Sequence, residues 1–312
     1  PLFPGMNIIE QTLRTVGDTS RRLTRTELRG LSDIGRETEA SFMAAWRGID
    51  LRRRREILRA MVELAEENME FDFRDVFSAC LGDADAEVRR FAVEGLWEDD
   101  RPRTLRHLLT MLGGDPDDGV RAAVALALGP FAYQTALDEL RGDDAARLRA
   151  SLLDTARDLD LDVDVRRRAL ESAGYFSGSD IDEAIAQAYA SGNDQLKASS
   201  LTAIGHSLDT RWLPVLQAEL RSSVPALRYE AARASGELGE EAASLVPLLL
   251  PLVEGDDAEI STTAIWALGQ IGGDAARRIL RRLSRGDDPV RQLAAEEALS
   301  ELQFDADPSR LF

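Results

Sequence analysis

One short sequence pattern recurs along this chain and restricts what it can fold into. In the stretch from Asp85 to Trp97, an acidic residue is followed by an aliphatic residue, a basic residue, and then small and aliphatic residues at helical spacing. Further copies, some of them looser, begin at Asp117, Asp162, Asn193, Val224, Asp257 and Asp287. Most copies lie roughly 30 residues apart, and each follows another predicted helix. A period of this length made of two helices predicts an all-α fold, an α-solenoid in which each helical hairpin buries its apolar face against its neighbours.

The pattern divides the chain into two predicted parts. Residues 1–36 are predicted to form an N-terminal arm and a capping helix, and Thr24 with Glu27 fits a capping box. Residues 37–312 are predicted to form one solenoid domain of about seven or eight hairpins, with an insertion near 130–144 that accounts for the longest interval. The aliphatic residues of the pattern are predicted to be core residues, and they are Leu51, Val88, Val120, Val165, Leu196, Leu227, Ile260 and Val290.

The acids and bases of the pattern are predicted to form a structural ladder that joins neighbouring repeats. An acid at a helix start satisfies free backbone amides, and a base one turn later can pair with it or with the acid of the next repeat. The predicted ladder residues are Asp85, Arg89, Asp117, Arg121, Asp162, Arg166, Arg228, Asp257, Asp287 and Arg291. Since the pattern has Val224 in place of an acid and Ser261 in place of a base, we predict that Arg228 and Asp257 pair across the boundary between their repeats.

A helical wheel places a second row of side chains on the face opposite the core stripe. Because the second helices line the concave surface of a solenoid, this row is the predicted partner-binding face. Its candidate residues are Arg90, Glu94, Trp97, Leu126, Arg167, Glu171, Tyr229, Arg233 and Trp266. Large aromatic residues outside a core stripe are typical of interface anchors, and the three arginines are expected to bind acidic groups of the partner. The alternative is that other segments of the chain cover the aromatic residues.

No set of residues predicts a catalytic, cofactor or metal site. The two histidines stand in different repeats, and Cys80, the single cysteine, lies in an apolar run typical of the core. Asp160 and Glu171 have the spacing of an EF-hand loop, but its sixth position is Val165 rather than glycine, so these acids are better explained by the start of a repeat.

The net charge of −18 disfavours nucleic acid and anionic lipid as partners. Basic clusters at Arg52–Arg55 and Arg277–Arg285 keep nucleic acid open as a less favoured alternative, together with self-association through the N-terminal arm. The longest apolar run, Leu245–Val253, is too short to span a membrane. A single cysteine is typical of a reducing compartment and predicts a cytoplasmic location, while a chain that begins at Pro1 leaves a removed leader open.

The repeats resemble HEAT repeats, and most of all the short HEAT-like type first associated with phycobilisome lyases. The resemblance rests on the order of acidic, aliphatic and basic residues and on the small residues that follow, and it covers about Asp50 to Leu302. It implies an α-solenoid, and it implies bilin lyase or isomerase activity as one alternative function. The expectation we favour is a non-enzymatic scaffold or adaptor that binds a protein or peptide and uses no cofactor.

Overall fold

The structure is a computed structural model that describes residues 8–68 and 70–306. Within these ranges it contains nineteen α-helices, four short 3-10 helices and no β-strand, which confirms the prediction of an all-α fold. No helix of the described ranges is both long and apolar enough to cross a membrane. The contacts within the chain divide it into two compact units, Pro1–Ser151 and Leu152–Phe312, so the solenoid domain predicted for 37–312 extends over parts of both.

The first unit begins with short helices and continues as helical hairpins. Its helices are α1 (Ile8–Gly17), α2 (Arg25–Leu28), α3 (Glu39–Trp46), α4 (Leu51–Glu67), α5 (Arg74–Cys80), α6 (Ala86–Glu94), α7 (Pro102–Gly114), α8 (Asp118–Ala127) and α9 (Gly129–Ala136), and α10 (Gly142–Arg157) contributes residues to both units. Two 3-10 helices, Arg29–Leu31 and Arg36–Thr38, lie between α2 and α3. The described part of the predicted arm packs on its own unit, because Leu13 and Val16 of α1 are fully buried.

The second unit repeats the hairpin arrangement. Its helices are α11 (Val163–Ala173), α12 (Ser179–Tyr189), α13 (Asp194–Ser207), α14 (Leu213–Glu219), α15 (Pro225–Glu237), α16 (Val246–Val253), α17 (Ala258–Ile271), α18 (Gly273–Leu283) and α19 (Pro289–Ala306). The 3-10 helices Thr210–Trp212 and Gly239–Leu245 precede α14 and α16. The second helices of successive hairpins, α11, α13, α15, α17 and α19, pack against one another in chain order.

Most second helices begin where the sequence pattern places them. The side-chain oxygen of the pattern's first residue accepts a hydrogen bond from a free backbone amide of the first turn. The residues that cap a second helix in this way are Asp85, Asp117, Asp162, Asn193 and Asp257. Thr24 and Glu27 form the predicted capping box at α2.

The first and last copies of the pattern lie in a different register from the predicted one. Asp50 caps α4, and the core position three residues later belongs to Arg53, which is 4% exposed, whereas Leu51 is 38% exposed. At α19 the capping carboxylate is that of Asp288 rather than of the predicted ladder residue Asp287. Val290 is consequently 56% exposed, and the core predictions for Leu51 and Val290 were wrong. In both places, the register of the helix is set by the acid whose carboxylate accepts hydrogen bonds from the free backbone amides of the first turn.

The bases of the pattern connect neighbouring repeats in the first unit. Arg89 donates through Nε and Nη2 to both carboxylate oxygens of Asp115 in the next turn, each at 2.8 Å, and through Nη1 to the carbonyl oxygen of Asp83. Arg54, which follows Arg53 as Arg89 follows Val88, donates to Asp83 at 2.5 Å, and its neighbour Arg55 donates to Asp85. Arg89 thus joins its repeat to the next one, but its acceptor is Asp115, two residues before the helix cap, and not the predicted ladder residue Asp117.

Other bases of the pattern bind the turn or first helix of their own hairpin. Arg121 donates to the carbonyl oxygen of Leu112 at 2.9 Å, and Arg228 donates to that of Ser222 at 2.8 Å. Arg166 has a buried Nε without a hydrogen-bond partner. The hydrogen bonds of Arg121 and Arg228 hold the turn of their own hairpin and do not connect it to the next repeat.

The predicted ion pair between Arg228 and Asp257 was wrong. The carboxylate of Asp257 accepts from the backbone amides of Glu259 and Ile260 in its own helix, while Arg228 uses a carbonyl of its own turn. Ser261 fills the missing base position by donating to the carbonyl oxygen of Val253, and Arg291 reaches back to Ser261 Oγ at 3.2 Å. Hydrogen bonds to backbone carbonyl oxygens thus replace the ion pairs that the missing charged residues would have formed.

Glycines near the ends of the second helices allow these helices to approach closely. A Cβ atom on Gly174 would lie 2.7 Å from the backbone of Ala203, and one on Gly269 would lie 2.8 Å from Cβ of Ala298. In the structure both are buried contact points between successive repeats.

Candidate protein-binding surface

The candidate residues of the first unit leave two apolar side chains in solvent. Trp97 is 51% exposed and Leu126 is 48% exposed, as expected for members of a binding row. Arg90 and Glu94 pair with each other one turn apart on α6 at 3.1 Å. Because both side chains are about 40% exposed, this pair balances their charges only weakly.

On α11 the candidate residues take part in packing between repeats. Glu171 is 5% exposed and accepts a hydrogen bond from Ser199 Oγ of α13 at 2.6 Å and from Arg168 at 2.7 Å. Arg167 donates to Asp164 at 2.5 Å. The prediction of Glu171 as a surface contact was therefore wrong, because the next second helix covers it.

The same kind of bond joins the next pair of second helices. Thr202 Oγ1 of α13 donates to Glu230 of α15 at 2.9 Å. At α11 and α13, the position that the helical wheel assigned to the binding row thus carries a hydrogen bond between repeats. Only farther along the second unit do the residues at this position reach solvent.

Three candidate residues come together in the second unit, where Tyr229 and Arg233 of α15 and Trp266 of α17 line one open cavity of about 600 Å³. We call this cavity the Tyr229–Trp266 pocket. Its size lies within the range of ligand-binding clefts. The remaining lining residues are Glu237, Thr262, Thr263, Val290, Leu293, Ala294, Glu297, Ala298 and Glu301. Helix α19 forms the wall opposite α15.

The indole of Trp266 is held in place by the backbone of α15. A Cβ atom on Gly236 would lie 2.5 Å from the Trp266 ring, so the absence of a side chain at residue 236 lets the ring lie against the helix. Trp266 is consequently half-buried, with part of its surface directed into the pocket. A rigid aromatic side chain that is partly desolvated before binding is well suited to anchor a partner.

The charged groups on the α15 wall form one chain of ion pairs. Arg233 donates to Glu230 through Nε at 3.0 Å and to Glu237 through Nη1 at 2.7 Å. Burial raises the pKa of Glu237 to about 7; Arg233 lowers this pKa, while the nearby Glu230 raises it further. Oε2 of Glu237 is buried without a hydrogen-bond partner. Arg233 is thus committed to two carboxylates of its own helix.

Sequence reasoning missed the other lining residues, among them Glu237, Leu293 and Glu297. Glu237 could have been found, since it lies one turn beyond Arg233 on the same face of α15. The two residues on α19 follow only from the register set by Asp288. Within the described ranges, no group of three or more histidine, cysteine, aspartate or glutamate side chains could hold a metal ion.

The family model of HEAT repeats matches residues 74–157 and 213–300, which together make up more than half of the chain. The chain belongs to the HEAT-repeat family. This membership agrees with the hairpins described above and confirms the α-solenoid predicted from the sequence period. A comparison with curated proteins finds no match.

Solved structures share the fold of this HEAT-repeat protein. The complex of CpcE and CpcF of phycocyanin lyase from Nostoc sp. PCC7120 is similar at 21% identity with a TM-score of 0.52, over 74% of this chain and 88% of that one. The Kap95:Nup1 complex is similar at 14% identity with a TM-score of 0.50, over 96% of this chain and 46% of that one. The HEAT-repeat protein therefore spans about half of the latter chain, and identities this low indicate a shared fold only.

Proposed function

We propose that this HEAT-repeat protein is a non-enzymatic scaffold that binds a protein or peptide segment at the Tyr229–Trp266 pocket. The observation that carries the proposal is the meeting of two aromatic side chains with exposed aliphatic ones in one open cavity. Val290 and Leu293 are 56% and 58% exposed, beside the half-buried Trp266. An apolar patch with a charged rim is typical of protein interaction sites.

The proposal is tested by selecting peptides from a random 12-residue phage library on the purified protein. The selected peptides are then measured by fluorescence anisotropy against a Leu293→Ser variant. Because Leu293 is exposed, the substitution should leave the melting temperature nearly unchanged, and we expect it to weaken binding by about tenfold or more, as for loss of an interface anchor.

The matched control is Leu159→Ser, which removes a side chain that is 79% exposed in the same unit and does not line the pocket. Peptides that bind the two variants equally well, or a library from which no binder is enriched, would overturn the proposal.

The alternative function is that of a bilin lyase or isomerase, and it rests on the fold shared with the phycocyanin lyase subunits. The test is to mix the protein with a linear tetrapyrrole and record visible absorption. A spectrum equal to the sum of the separate spectra would count against this alternative.

A further inference from the structure

The walls of the Tyr229–Trp266 pocket carry more negative than positive charge. Among the described residues that line the pocket, Glu237, Glu297 and Glu301 provide three carboxylates and Arg233 provides the only guanidinium. The second unit as a whole has 28 acidic residues against 16 Lys and Arg between Leu152 and Phe312. A charged ligand that approaches this pocket therefore meets a negative potential, which attracts cations and repels anions.

Arg233, the one positive group among the described residues of the lining, is already paired with two carboxylates. The fork of Arg233 already binds Glu230 and Glu237, and its side chain is 28% exposed. A ligand carboxylate would compete with these two carboxylates, which already balance the charge of the guanidinium. This geometry argues against the expectation from sequence that Arg233 binds acidic groups.

The aromatic residues strengthen the preference for a cation. Trp266 and Tyr229 both line the pocket, and the faces of such rings attract guanidinium and ammonium groups. Glu297 is exposed on the opposite wall, so its carboxylate can pair with a cation that lies against the indole. The exposed Val290 and Leu293 provide an apolar surface next to that position.

We propose that the partner bound at this pocket is a basic peptide segment, with an arginine or lysine side chain between Trp266 and Glu297 and an aliphatic neighbour on Leu293. The proposal rests on the function proposed above and specifies the chemistry of the partner. Charge complementarity favours this occupant over an acidic one. The exposed Val290 and Leu293 of α19 provide the apolar surface for its aliphatic residue.

The composition of the selected peptides separates the two proposals. We expect peptides whose binding depends on Leu293 to be enriched in Arg and Lys, with an aliphatic residue within a few positions. Enrichment of Asp and Glu would overturn the basic partner and leave the scaffold function standing. If no peptide depends on Leu293, both proposals fail.

Charge reversal on α19 gives an independent measurement with the same peptides. Glu297→Lys should weaken their binding by about tenfold or more at low salt, and the loss should shrink as salt is raised. The control is Glu296→Lys, which makes the same charge change one residue away, at an exposed position outside the lining, and should change binding by less than about twofold. Equal binding by the Glu297→Lys variant and the wild type, or tighter binding by the variant, would overturn the basic partner.

Discussion

Gly205 of α13 makes room for the carboxylate of Glu237 on α15. A Cβ atom built on Gly205 would lie 1.9 Å from Glu237 Oε2 and 3.1 Å from the backbone of Ala234. The missing side chain therefore lets an acidic side chain enter the contact between two second helices, where its Oε2 has no hydrogen-bond partner. One glycine thus determines both how closely α13 and α15 approach and where the acid of the pocket wall lies.

Gly205→Ala should destabilise the protein by roughly 1–3 kcal/mol, the usual cost of inserting a methyl group where there is no space. Urea unfolding measures the change. Adding Glu237→Ala should restore part of the loss, because the carboxylate that clashes is then absent. The control is Gly113→Ala, at an exposed helical position with no atom within 4 Å of the new Cβ, which should be neutral or stabilising. Equal effects of the two glycine substitutions would contradict the clash.

Glu237→Gln should stabilise the protein more at pH 8 than at pH 5. The pKa of Glu237 is raised from 4.5 to about 7 on folding, so between these values the folded state holds a proton that the unfolded state has lost. The stability of the wild type therefore falls as pH rises through this range, and the glutamine variant lacks this fall. The gain at pH 8 should be roughly 1–3 kcal/mol, since one pKa unit corresponds to about 1.4 kcal/mol.

Urea unfolding at both pH values measures this difference, with Glu240→Gln as the control at an exposed position. A Glu237→Gln variant whose advantage is the same at pH 5 and pH 8 would show that the carboxylate keeps an ordinary pKa in the folded state.

The fold was predictable from sequence because one structural unit recurs. Most copies pair an Asp or Asn that caps a helix with an aliphatic residue three positions later, and five of the copies begin as predicted. The prediction failed at the two terminal copies, where Arg53 and Arg291 occupy positions that an aliphatic residue fills elsewhere. An arginine can do so when carbonyl oxygens surround its guanidinium, and the spacing of apolar residues does not reveal them.

The candidate site was predictable only in part. Tyr229, Arg233 and Trp266 meet because equivalent positions of adjacent repeats lie side by side. Glu171 occupies the equivalent position on α11 and is buried against the next helix, where the hydroxyl of Ser199 donates a hydrogen bond to it. The wheel gives the direction of a side chain from its own helix, but the neighbouring helix decides whether that side chain reaches solvent.

Arg53→Met should loosen the segment that precedes the first hairpin. The guanidinium of Arg53 is buried and donates to the carbonyl oxygens of Asp18 and Arg21, so its loss removes one hydrogen bond from each of these carbonyls. We expect a loss of roughly 1–3 kcal/mol and faster amide hydrogen exchange within α1. The control is Arg52→Met, at an exposed position on the same helix. Unchanged exchange in α1 would show that Arg53 does not hold this segment.

Arg89→Leu should be far more destabilising than Arg282→Leu, although each removes one arginine of an ion pair at 2.8 Å. The side chains of Arg89 and Asp115 are 11% and 5% exposed, so the substitution leaves a buried carboxylate unpaired between two repeats, at a cost of about 3–5 kcal/mol. Arg282 and Glu254 are more than half exposed, and their pair should contribute less than about 1 kcal/mol. Asp115→Asn in the Arg89→Leu background should recover part of the loss in urea unfolding, since a neutral amide costs less to bury than a charge. Equal losses for the two leucine variants would show that Arg89 does not join its repeat to the next.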